Sequence, residues 1–188
     1  MYDRYQGLIF DMDGTILDTE LTHQKAWNLV LAKYGISYDA AAMTALNGSP
    51  TWRIAQVILG SHQADIDPYR LAAEKSAVVE EMLLDTVKTL PLIDVVKDYH
   101  GRRPMAVGTG STRALADKLL EHLGLRDYFT AVIGADDVDN HKPFPDTFLR
   151  CAELIAVAPE NCVVFEDADY GIEAAIRANM AVVDVRKR

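Results

Sequence analysis

Gly7-Leu8-Ile9-Phe10-Asp11-Met12-Asp13-Gly14-Thr15-Ile16-Leu17-Asp18-Thr19-Glu20 lies near the start of the chain, and its reading decides the fold. Leu8-Ile9-Phe10 is an apolar run of strand length that ends in two carboxylates one residue apart. Alternate side chains of an extended chain point the same way, so Asp11 and Asp13 can reach one site at the strand's carboxyl end while Met12 packs elsewhere. Gly14 then permits a sharp turn. Two acids held so close do not both carry charge easily unless a cation sits between them or one keeps a proton.

Working outward, four more strand-sized segments recur along the chain: Pro104 to Gly108, Ala131 to Gly134, Cys162 to Phe165 and Ala181 to Val185. Helical patterns separate them. Ser111-Thr112 can cap a helix with Leu115, Leu119 and Leu123 on one face before Gly124 stops it, and Asp146 to Ala156 repeats the theme with Phe148, Leu149, Ala152 and Ile155. Such alternation predicts an α/β fold with a mostly parallel sheet. From Thr19 to Thr86 the pattern is helical only, in stretches Leu21 to Tyr34, Ala40 to Leu46, Thr51 to Leu59 and Pro68 to Leu84. One helix suffices to cross between parallel strands, so this block reads as a helical insertion. Its hinges fall near Leu17 to Glu20 and Asp85 to Pro91, giving a core of residues 1–17 and 88–188 and a cap of residues 18–87.

Composition narrows the partners. With 49% apolar and 25% charged residues in 188, the chain has the balance of a soluble globular protein. A net charge of -9 argues against nucleic acid, whose phosphate backbone needs a basic surface, but not against a small phosphorylated substrate. No apolar run is long enough to span a bilayer and the amino terminus lacks the build of a signal peptide, so a cytoplasmic protein without a membrane partner is expected. Cys151 and Cys162 have no metal-ligand spacing and read as buried thiols.

Ligands of open α/β sheets bind at the carboxyl ends of strands. Those ends carry Asp11 and Asp13, then Thr109-Gly110-Ser111, then Ala135-Asp136-Asp137 with His141-Lys142-Pro143 beyond, and Glu166-Asp167-Ala168-Asp169. Acids, hydroxyls and one lysine on a single rim fit phosphoryl transfer. A carboxylate can attack phosphorus, and Mg²⁺ held by oxygen ligands neutralises the charges that gather there. On this reading Asp11 is the nucleophile and Asp13 the acid and base, a role worth about 10² to 10⁴ in rate. Thr109 donates to a phosphoryl oxygen, Lys142 opposes the developing charge, and Asp167 with Glu166 holds the metal. Each residue has a plainer reading as a turn former, cap or helix-start acid. Four strand ends supplying complementary groups outweigh it.

The ordered set Asp11-x-Asp13-Gly14-Thr15, Thr109, Lys142-Pro143-x-Pro145-Asp146 and Glu166-Asp167 with Gly171-Ile172 resembles the haloacid dehalogenase superfamily across nearly the whole chain. The resemblance implies a Rossmann-like three-layer core, a helical cap over the substrate, an aspartyl-phosphate intermediate, and Mg²⁺ on Asp11, Asp167 and the backbone carbonyl of Asp13. The second acid, Asp13, marks phosphotransferases, since dehalogenases of the superfamily lack it. Within the helical-cap branch the chain is similar to β-phosphoglucomutases and to small sugar phosphatases. The stretches Leu46-Asn47-Gly48-Ser49-Pro50-Thr51-Trp52-Arg53 and His100 to Ser111 point to the latter, with a substrate like fructose 1-phosphate.

The same resemblance places His23 near Asp13, and His23, Trp27, Asn47, Gly48, Arg53, Gly110 and Ser111 are the expected substrate contacts; Asp169 reads as a loop acid tuning the metal site and Tyr170 as a core residue. Where a mutase cap usually presents a lysine before its glycine, this chain has Asn47-Gly48, and Arg53 is the nearest cation. That departure favours hydrolysis over the mutase alternative, in a protein expected to be monomeric. A phospho-accepting receiver module combines similar groups, but it places its accepting Asp on a later strand and has no insertion of this size.

Overall fold

The computed structural model describes residues 1–187; Arg188, the last residue of the expected core, lies outside them. Strand β1 (Gly7–Phe10) and the two-residue β2 (Leu17–Asp18) are followed by helices α1 (Glu20–Ala32), α2 (Ala40–Met43), α3 (Thr51–His62) and α4 (Pro68–Thr86). After β3 (Lys88–Thr89) the chain alternates: α5 (Ile93–Tyr99), β4 (Met105–Gly108), α6 (Arg113–His122), β5 (Ala131–Ile133) and α7 (Asp146–Leu154). It ends with β6 (Cys162–Glu166), α8 (Asp169–Arg177) and β7 (Ala181–Asp184). The main sheet has the order β5-β4-β1-β6-β7 with every pairing parallel. This is the α/β architecture that the alternating pattern predicts, with β1 in the centre.

Strand periodicity sorts the core into two layers. Leu8 and Phe10 face α5 and α6 together with Val107 and Phe165, whereas Ile9 faces α7 and α8 together with Ala106 and Val164. All three β1 side chains are fully buried, as a central parallel strand requires. A third cluster lies wholly within the helical block, where Trp27, Val30 and Leu31 pack on Ile58, Leu59 and Leu71. Local chemistry fixes the helix starts: Asp39 and Asp67 cap α2 and α4, and Thr112 caps α6 by accepting from the Leu115 N–H.

Three features differ from the sequence-based expectation. The expected hinge stretches carry a strand pairing that was not predicted: Leu17 pairs with Thr89 and Asp18 with Lys88 as a short antiparallel ribbon. A two-residue strand leaves no periodicity to read. Leu149 is exposed on α7, whose buried face is carried by Thr147, Phe148, Cys151 and Ala152. Helix α5 packs Ile93, Val96 and Tyr99 beneath the sheet where no helix was predicted. Both cysteines are free and buried, and no helix among the described residues is long and apolar enough to cross a membrane.

Candidate active site

β1 ends at Phe10, and the chain then curls tightly: the Met12 carbonyl accepts from the N–H groups of Thr15, Ile16 and Leu17. Met12 is driven into the core with no exposure, which leaves Asp11 and Asp13 on the other side of the turn. Gly14 has φ +81°, and a Cβ there would fall 2.5 Å from Asp167 Oδ2. Only glycine therefore lets the loops after β1 and β6 approach.

The two acids face different partners. Lys142 Nζ donates to Asp11 Oδ1 at 2.6 Å and to Glu166 Oε1 at 2.7 Å, with all three residues almost wholly buried. Burial pushes the Asp11 carboxyl above the usual carboxylate range, against the opposing pull of the Lys142 ammonium. Burial also disfavours a charged Lys142, but Asp11 and Glu166 overcome this and hold it protonated. The ammonium fixes one Asp11 oxygen; among the described residues no side chain or backbone donor occupies the other. Glu166 is held further by the Ala168 N–H at 2.6 Å, and a Cβ on Gly171 would collide with its carboxylate.

Asp13 sits among four donors. Thr19 Oγ1 donates to Oδ1 at 2.7 Å, with His23 Nε2 3.2 Å from the same oxygen, and Ser111 Oγ and Thr109 Oγ1 donate to Oδ2 at 2.9 and 3.2 Å. Burial alone would raise this carboxyl, but the bonds from His23, Thr19 and Ser111 hold it well below the usual range. Asp13 is thus an anion in this arrangement, the form in which it can take up a proton.

Behind His23 stands a residue that sequence reasoning passed over. Lys75 Nζ lies 2.6 Å from His23 Nδ1 and 5.5 Å from the Trp27 ring centroid. An ammonium has only donors, so Nδ1 accepts and the neutral ring carries its proton on Nε2, aimed at Asp13. Burial, and then the Lys75 charge, lowers the His23 pKa and keeps the ring neutral. Burial likewise brings the Lys75 ammonium down to about 8.

Asp11, Glu166 and Asp167 bring ligand oxygens within 4.8 Å of one another. Burial and the neighbouring Glu166 charge push Asp167 up to about 6, while Thr15 Oγ1 donates to its Oδ1 at 2.9 Å. Buried oxygen-only donors whose ionisation is opposed by burial and by one another are the chemistry that a hard divalent cation relieves. The Asp13 carboxylate is not in this group, because its oxygens turn to the four donors named above.

A cavity opens between these loops and the helical block, lined by Asp11, Asp13, His23, Trp27, Lys75 and Asp167 among others. Asn47, Gly48, Gly110 and Ser111 also line it, so the expected substrate contacts largely converge. Arg53 does not join them: its guanidinium lies 5.7 Å from the Tyr170 ring centroid, outside the lining set. On α3 the cavity is met by Thr51 and Ile54, three residues apart on one face, and Arg53 falls on another. Thr109 and Lys142 lie beneath the lining, bonded to the two acids. Asp169 faces outward to Arg186 at 2.9 Å, and Tyr170 meets Arg53 and is not part of the core.

A parallel α/β sheet with a strand-end acid pair, a buried lysine and a helical block over the cavity defines a class of phosphoryl-transfer hydrolase. The model for the haloacid dehalogenase-like hydrolase family matches residues 8–185, and the chain belongs to that family. Among relatives it is 67% identical to the fructose-1-phosphate phosphatase YqaB of Escherichia coli K12, over 99% of each chain. It is 30% identical to a phosphorylated carbohydrates phosphatase of Thermotoga maritima, over 93% of this chain and 82% of that one. The crystal structure of β-phosphoglucomutase from Clostridium difficile superposes with a TM-score of 0.85 at 31% identity, covering 95% of this chain and 83% of the other. Family membership removes the receiver-module alternative.

Proposed function

We propose that the chain is a Mg²⁺-dependent phosphatase of small sugar phosphates of the fructose 1-phosphate kind, acting as a cytoplasmic monomer. Residues 18–87 serve as a cap over a catalytic core of residues 1–17 and 88–188. The observation that carries this reading is the division of labour between the two acids: Asp11 has one oxygen fixed by Lys142 and the other open, while Asp13 is surrounded by proton-bearing groups. The 67% identity to a fructose-1-phosphate phosphatase supports the substrate class.

In the first half-reaction the open Asp11 oxygen attacks phosphorus, the P–O bond to the sugar breaks, and the leaving oxygen takes a proton from Asp13. In the second, water attacks the aspartyl phosphate and gives its proton to Asp13 as phosphate departs and Asp11 is restored. The anionic Asp13 seen here is ready for the second half. Its protonated form is accommodated because the Thr19, Thr109 and Ser111 hydroxyls accept as readily as they donate. Lys142 opposes the charge that builds at Asp11 and phosphorus. Asp11 and Asp167, with Glu166 behind them, are the side chains that would hold Mg²⁺, which when bound supplies charge neutralisation at the phosphoryl oxygens.

A mutase reading draws on Lys75, a cap cation at the cavity that the comparison of Asn47-Gly48 with mutase caps did not foresee. Products separate the two. Phosphate release from a panel of sugar phosphates with Mg²⁺, ranked by kcat/KM, should favour a ketose 1-phosphate; conversion of β-glucose 1-phosphate to the 6-phosphate without free phosphate would overturn the phosphatase reading. Asp11→Asn should abolish turnover with the fold intact, and EDTA should do the same reversibly.

A further inference from the structure

The helical block is fastened to the core at the ribbon, next to the start of α1 and the end of α4. Helix α3 adjoins neither strand, yet its second and third residues both reach across to the core. The Trp52 ring stands edge-on to His141, with centroids 5.9 Å apart and planes at 69°, and the Arg53 guanidinium lies over the Tyr170 ring, 5.7 Å from its centroid. Both are favourable geometries, an edge-to-face ring pair and a cation on a ring face.

Each partner is itself held. On the cap side Trp52 stacks on Tyr69 at the start of α4, with centroids 5.4 Å apart and planes at 20°, so two helices of the block back one ring. On the core side the His141 carbonyl accepts from the Phe144 N–H at 2.9 Å, closing the turn that carries Lys142. His141 Nδ1 is buried without a hydrogen-bond partner, so ring contact and not a polar bond at that atom keeps the imidazole in place. Just before α3 the closing loop between α2 and α3 seats on the turn after β4: a Cβ on Gly110 would fall 2.6 Å from the Gly48 carbonyl oxygen and 3.2 Å from that of Ser49. The block also meets the core through an exposed ion pair, Glu80 with Lys118, which water screens.

Asp11 is 4% exposed, so a sugar phosphate that enters the cavity has to part the helical block from the core, and the contacts that re-form behind it decide how firmly it is kept. Neither Trp52 nor Arg53 lines that cavity. We infer that these two are positioning residues, a two-point latch that fastens α3 to His141 and Tyr170 and retains the sugar phosphate without touching it. This rests on the reading of residues 18–87 as a cap. Together a ring pair and a cation–π contact shift a closing equilibrium by about tenfold, which appears as apparent affinity.

The test measures KM and kcat for phosphate release from fructose 1-phosphate with Mg²⁺ and, without substrate, acrylamide quenching of tryptophan fluorescence. The chain has two tryptophans and Trp27 is 2% exposed, so quenching reads Trp52. Trp52→Ala should raise KM about tenfold and Arg53→Met about threefold, with kcat within about twofold of wild type. Trp52→Phe, which keeps a ring, should restore KM. Trp52→Ala with His141→Ala should be no worse than Trp52→Ala alone, because both remove the same contact. Tyr170→Leu leaves both ring partners of Trp52 in place, yet it should raise the Trp52 quenching constant about twofold, since releasing Arg53 loosens the whole latch. An unchanged KM in Trp52→Ala, a fall in kcat alone, additive losses in the double variant, or wild-type quenching in Tyr170→Leu would each overturn the latch and leave the phosphatase reading standing. Should Trp52→Ala fail to fold, Arg53→Met and Tyr170→Leu carry the two measurements. Absence of phosphate release from fructose 1-phosphate by the wild type would overturn the substrate reading instead, and the quenching comparison would still decide the latch.

Discussion

Asp167→Asn is expected to make the metal-free protein more stable while removing its response to Mg²⁺. Burial and the adjacent Glu166 charge raise the Asp167 pKa from an ordinary 3.8 to about 6. The sign follows from linkage: a carboxyl whose folded pKa is raised costs nothing below the unfolded value, costs progressively more between the two, and carries its full penalty above the folded value. At ~1.36 kcal/mol per pKa unit the full penalty is about 3 kcal/mol, reduced to roughly 1–2 kcal/mol by water at the partly open carboxylate. Asparagine keeps an oxygen for the Thr15 hydroxyl and has no charge to desolvate. In EDTA at pH 7.5 the variant should melt about 2–6 °C above wild type, a gap that closes as the pH falls below 4. Adding Mg²⁺ should raise the wild-type melting temperature and leave the variant unmoved. Differential scanning fluorimetry across pH, with EDTA or Mg²⁺, reads all of this. A variant less stable than wild type in EDTA at pH 7.5, or a gap independent of pH, would refute the reasoning.

Lys142→Met should abolish phosphate release and lower stability by about 3–5 kcal/mol, because Asp11 and Glu166 are left buried without their shared cation; chemical denaturation measures it. Lys75→Met should go the other way on stability, melting higher at pH 7 since a buried ammonium held down at about 8 is removed, while kcat/KM falls as His23 loses the donor that sets its tautomer. Gly171→Ala should cost at least a hundredfold in kcat, because its methyl group occupies the space of the Glu166 carboxylate that steadies Lys142. Gly110→Ala should raise KM for a sugar phosphate with little change in melting temperature, since the nearest atoms that the new methyl meets are the Gly48 and Ser49 carbonyls of the closing loop.

The sheet and its rim were legible because their signals are local. Leu8-Ile9-Phe10 followed by Asp11 and Asp13 needs only strand periodicity and a glycine turn, and the acids after β6 need only the same reading repeated. What escaped was long-range. Lys75 and His23 are 52 residues apart, and their bond exists only because α1 and α4 pack together. A trace was nonetheless present: Leu71, Lys75, Val79 and Leu83 recur every four residues, so a lysine stands in the buried stripe of α4. The place of Arg53 was hidden for the converse reason, since proximity in sequence to Gly48 says nothing about which face of α3 it occupies. The charge on Asp13 was equally hidden, because it depends on donors from two separate segments, the start of α1 and the turn after β4, converging on one carboxylate.

The paired hinges Leu17–Thr89 and Asp18–Lys88 make the helical block a topological appendix. Its entry and exit lie a strand spacing apart, about 5 Å, a gap that a two-residue hairpin turn spans. The ribbon therefore keeps the same ends whether the 69 residues between Asp18 and Lys88 or only two connect it, and the conformational entropy of inserting so long a loop grows only logarithmically with its length. A chain with the block excised and Asn-Gly in its place should retain β1 and β6 and the Lys142 bridge between Asp11 and Glu166, while lacking the groups that meet a sugar. Lids of unrelated size could be exchanged at this ribbon without renegotiating the chemistry beneath it.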